Sequence, residues 1–83
     1  MYAVVLFDQA AQELGTLVQP WLRKSELGHY IYARQIDPSE PYLQMLIESR
    51  DPDGVSRDVE LQIPHPFVKA IINAADISKI GFT

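Results

Sequence analysis

At 83 residues the chain reads as one domain spanning residues 1–83; a domain this small buries only about 60% of its unfolded surface, so its core is thin. Its composition, 47% hydrophobic and 22% charged, is that of a folded globular protein and excludes a disordered tail. It has no cysteine, which excludes disulfides, thiolate metal sites and a cysteine nucleophile, and a net charge of −4 disfavours duplex nucleic acid and anionic membranes as partners.

The opening residues, Met1 to Asp8, are too short and too uncharged for a secretory signal, and no run approaches the roughly 20 apolar residues of a membrane span. With the missing cysteines this fits a cytoplasmic protein. Ala3 to Phe7 is a continuous apolar run, expected as a strand covered on both faces or central in its sheet. Asp8 can cap a helix that follows. Ala10, Leu14, Leu17, Val18, Trp21 and Leu22 recur at helical spacing, so one apolar face is predicted to about Val18, with Trp21 in the core. Pro20 removes a donor and predicts a kinked or separate last turn ending by Gly28.

Tyr30 to Ile36 is predicted as the second strand, followed by a turn over Asp37 to Pro41. The segment Tyr42 to Ile63 is a hairpin on two independent grounds. Asp51-Pro52-Asp53-Gly54 is a strong turn, with Gly54 free to take the left-handed position that closes a three-residue loop. That loop sets Asp51 opposite Val55 and pairs Ile47 with Val59, Met45 with Leu61 and Leu43 with Ile63, the apolar residues of both arms. Pro64 and Pro66 end the second arm. Phe67, Val68, Ile71, Ile72 and Ala75 predict a second helix over about 66–75, and Ile77 to Phe82 a short edge strand.

The expected order is β-α-β-β-β-α-β, an α+β fold with two helices on one face of a mainly antiparallel sheet. It resembles a ferredoxin-like split βαβ arrangement with one extra strand, an analogy of architecture that carries no function.

The acidity is concentrated in residues 37–60, where seven carboxylates meet only Arg50 and Arg57. If Ile36 pairs with Tyr42, then Tyr30, Tyr32, Arg34, Tyr42 and Leu46 share the open face of the sheet. Rigid amphipathic rings with one guanidinium fork make a recognition surface. Tyrosines also favour strands for their own sake, and a slip of one residue buries them. The leading expectation is a small non-enzymatic protein-interaction or regulatory module acting through this sheet face or a strand edge, at Ala3–Phe7 or Ile77–Phe82, by homodimerisation. One alternative is a small-ligand pocket reached by His65, at the strand-to-helix junction between two prolines. Another is single-stranded nucleic-acid binding on the tyrosines, which the scarcity of basic residues opposes.

No cofactor and no metal are expected. Ser49 to Glu60 imitates a calcium loop, but its first ligand would be Ser49 and its flanks read as strands. His29 and His65 lack metal-ligand spacing and any nucleophile to activate.

Overall fold

The structure, a computed structural model, describes residues 1–73. Tyr2–Leu6 (β1), whose last four residues are buried, is the central strand of a four-stranded antiparallel sheet. Gly28–Ala33 (β3) pairs with it on one side and Val68–Asn73 (β7) on the other, and Arg23–Ser25 (β2) flanks β3. Gln35–Asp37 (β4), Tyr42–Arg50 (β5) and Ser56–Pro64 (β6) form a second, three-stranded antiparallel sheet. One α-helix among the described residues, Asp8–Leu14 (α1), follows β1.

The two sheets are held together by one core. Val4, Leu6, Ile31 and Ala33 of the first meet Leu43, Met45, Ile47 and Ile63 of the second, and Val18 with Leu14, Trp21 and Leu22 packs alongside. The chain passes between the sheets at Arg34, whose N–H donates to the Leu46 carbonyl at 2.8 Å. The α+β class and the antiparallel pairing stand. The single sheet with two helices does not, because the chain crosses at Arg34 and divides the strands between two layers.

The hairpin has the expected register throughout, from Tyr42 opposite Pro64 to Arg50 opposite Ser56. Gly54 has φ of 84°, its N–H bonds to the Asp51 carbonyl, and the Asp51 N–H bonds to the Val55 carbonyl. A Cβ added at Gly54 would meet nothing within 4 Å, so its substitution has only a conformational cost. Gly54→Ala is expected to remove about 1–2 kcal/mol, read as a lower urea midpoint at unchanged slope.

Five expectations need correction. The region predicted as a second helix from residue 66 is a short 3₁₀ turn, His65–Phe67, followed by β7, because β1 offers an unpaired ladder that β-branched Val68, Ile71 and Ile72 can complete. This pairing also means that Ala3–Phe7 offers no strand edge. The helix stops at Leu14 rather than Val18: Gly15 takes φ of 53° and its N–H returns to the Ala11 carbonyl. Leu17 is consequently 73% exposed. Asp8 lies inside the first turn, where it suits the helix dipole, and the N-cap position belongs to Phe7. Residues after Pro20 leave helix altogether and form β2, which turns at Gly28 into β3. The expected strand at Ile77–Phe82 lies outside the described residues.

Candidate interaction surface

The site is the outer face of the three-stranded sheet and the edge beside it. Side chains alternate along a strand, so burying Leu43, Met45 and Ile47 turns Tyr42, Gln44, Leu46 and Glu48 outward. Across the hairpin, Glu48 faces Asp58, Leu46 faces Glu60 and Gln44 faces Gln62. On the other side, Gln35 faces Leu46 and Asp37 faces Gln44, which leaves Ile36 opposite Met45 on the inner face. The register across the Asp37–Pro41 turn thus differs from the expected pairing of Ile36 with Tyr42. The bend at Arg34 resets the alternation, sending apolar Ile36 inward and polar Gln35 outward. A shallow groove of about 360 Å³ runs along this face between Gln35, Asp37, Gln44, Leu46 and Glu60.

The face is acidic. Arg34 Nη1 lies 2.9 Å from Asp58 Oδ1, an ion pair between two half-exposed side chains. Glu48 Oε1 accepts from Ser56 Oγ at 3.2 Å. Asp37 accepts both the hydroxyl and the backbone N–H of Ser39, and these bonds hold its carboxyl below the usual range. Glu60 adds a further carboxylate to the face.

Among the described residues, β6 pairs only with β5, and it is nine residues long. The bond from Asp51 to Val55 fixes the phase of the antiparallel ladder. Arg57, Val59, Leu61 and Ile63 direct their backbone groups to β5. Ser56, Asp58, Glu60 and Gln62 direct theirs outward, and their side chains lie on the acidic face. Among the described residues this outward ladder has no partner strand, and it coincides with the carboxylates of Asp58 and Glu60.

The five residues expected on one open face are distributed differently. Tyr30 is fully buried, with Ala3 and Val5, on the far side of the four-stranded sheet. Tyr32 packs against it edge-on, ring centroids 5.0 Å apart, and its hydroxyl lies 3.5 Å from that of Tyr30. Arg34 and Leu46 are joined through the backbone at the crossing, whereas Tyr42 stands four residues from Leu46, about 13 Å along β5. Arg34, Leu46 and Tyr42 therefore belong to the outer face, and the two other tyrosines do not. What spacing alone does not reveal is that Arg23 and Arg50 come beside Tyr32 at the seam between the sheets.

Partial desolvation and the Tyr30 hydroxyl raise the Tyr32 phenol to about 12, against a smaller opposing pull from Arg23. The native state therefore holds this proton more tightly than the unfolded chain. The stability it contributes is intact below pH 10 and is lost as pH rises through about 12. Absorbance titration at alkaline pH should show a late phase that Tyr32→Phe removes.

His65 is exposed, and its Nε2 lies 2.7 Å from the Glu40 carbonyl oxygen. That bond ties the 3₁₀ turn to the β4–β5 connection, and the partner is a backbone carbonyl where an acid–base pair would need a carboxylate. His29 Nδ1 lies 3.4 Å from Asp8 Oδ1 without hydrogen-bond alignment. In the calcium-like segment, Asp51 is engaged by Arg57 Nε across the hairpin. No group of three or more metal-ligating side chains occurs among the described residues, and no helix among them is long and apolar enough to cross a membrane.

No protein-family model, no curated protein and no solved structure matches the chain.

Proposed function

We propose that the protein is a small, non-enzymatic interaction module that binds an extended segment of another protein by strand addition to the edge of β6. The observation that carries this reading is the coincidence at Asp58, Glu60 and Gln62 of outward backbone groups with an acidic face. An added strand would have residues opposite Asp58 and Glu60 on that face; Asp58 already pairs with Arg34, so lysine or arginine is favoured chiefly opposite Glu60. The residues between them would extend the inner face beside Val59, Leu61 and Ile63, where apolar side chains are favoured. The partner is therefore a segment alternating basic and apolar residues.

A second copy of the chain is the alternative occupant, and the charges weigh against it. The antiparallel register of fullest overlap places Glu60 against Glu60 of the other copy. A slip one way places Asp58 against Glu60, and a slip the other way spends Asp58 on Pro64, which has no N–H to give. The single-stranded nucleic-acid reading loses one ring of its stacking platform, because Tyr30 is buried.

The test is a binding isotherm for a labelled peptide alternating lysine and valine, beside one alternating glutamate and valine. The basic peptide should bind, and more weakly as salt rises, while the acidic peptide should not. Equal binding of both would remove the charge argument. A concentration-dependent dimer mass with no binding of the basic peptide would favour self-pairing.

A further inference from the structure

The seam where the two sheets meet gathers three of the four arginines of an acidic chain. Two adjoining cavities open there, of about 240 and 340 Å³, and share Arg23, Tyr32, Glu48 and Arg50. Trp21 walls the first and Arg34 the second. Arg23 lies over the Tyr32 ring, its Cζ 5.2 Å from the centroid, so an aromatic surface and a cation are already side by side. Arg34 is engaged by Asp58, but among the described residues neither Arg23 nor Arg50 has a carboxylate within ion-pair distance. The second cavity by itself exceeds the roughly 300 Å³ at which small-molecule pockets begin.

We propose that this seam binds a small organic anion built on an aromatic ring, a site separate from the edge of β6. Arg23 and Arg50 take the anionic group, since guanidinium forks match phosphate and carboxylate oxygens. The ring lies against Tyr32 and Trp21. Among the described residues Glu48 is the one acid lining the cleft, its Oε1 already accepting from Ser56. It accepts from a ring N–H or hydroxyl and turns the anionic end toward the arginines.

A ring phosphate and a ring carboxylate share this chemistry, and two probes separate them: adenosine 5′-monophosphate and 4-hydroxybenzoate. Adenosine and inorganic phosphate are the controls. Binding is read by equilibrium dialysis, and the fluorescence of Trp21, the chain's single tryptophan, reports location. At least one aromatic anion should bind with a dissociation constant below about 1 mM. Adenosine and phosphate should each bind at least about tenfold more weakly. Arg50→Gln, at an exposed strand end, should weaken binding at least about tenfold while leaving the urea unfolding curve unchanged. Arg23→Gln should act in the same direction. Nucleotide binding alone would assign the phosphate, and benzoate binding alone the carboxylate. No binding of either anion, binding of adenosine as tight as its phosphate, or wild-type affinity in Arg50→Gln would overturn the proposal.

Discussion

Met45→Ala is expected to lower the unfolding free energy by about 2–5 kcal/mol. Met45 is fully buried and faces Ile36 on one side and Leu61 on the other, with its side chain in the core shared by both sheets. Truncating it loses apolar contact and leaves a cavity at the junction of the two layers. A chain of 83 residues has roughly 4–12 kcal/mol in total, so the variant sits near the edge of folding. Leu46→Ala is the internal control, because the next residue along β5 points to the opposite face. Its cost should stay near about 1 kcal/mol. Urea unfolding of the two variants reads the alternation directly. Equal losses would mean that the inner and outer faces have been misassigned.

Glu60→Pro is expected to abolish partner binding while sparing the fold. The Glu60 N–H points away from β5, so proline there removes a donor from the open edge and none from the hairpin ladder. Its ring also blocks an incoming strand. Affinity for the lysine–valine peptide should fall by at least about tenfold, from lost backbone bonds and the lost carboxylate together. Leu61→Pro, one residue on, removes a bond to β5 and a buried contact, and should cost about 3 kcal/mol or more in stability. The two variants separate an edge that recognises a partner from an edge that merely ends a sheet. Unchanged peptide affinity in Glu60→Pro would place recognition elsewhere.

The hairpin from Tyr42 to Ile63 was legible in the sequence because turn chemistry and alternation constrain it independently and agree. The strand at Ala3 was legible for a similar reason: an unbroken apolar run suits a central position. The second helix was misread because Val68, Ile71 and Ile72 satisfy helical spacing, and a bulge breaks the alternation that would have revealed a strand. The register shift between Val5 and Leu6 lets Val68 join the inner core while Ile72 packs on the outer side with Tyr30. No local rule identifies β1 as the partner that makes a strand the better outcome.

The candidate site was legible in part. Arg34, Leu46 and Tyr42 do lie on the outer face of the three-stranded sheet. Tyr30 and Tyr32 precede the crossing at Arg34 and follow the pleat of a different sheet, so alternation counted through that bend assigns them wrongly. The proximity of Arg23 and Arg50 to Tyr32 depends on how two sheets meet, and spacing along one chain holds no record of it.

The most direct test is a map of backbone amide shifts in uniformly labelled protein as the lysine–valine peptide is added. Strand addition predicts that Ser56, Asp58, Glu60 and Gln62 move most and become protected from hydrogen exchange, while Arg57, Val59 and Leu61, already bonded to β5, gain little protection. Changes confined to β7 or to the Arg23–Tyr32 seam, with β6 unmoved, would contradict it.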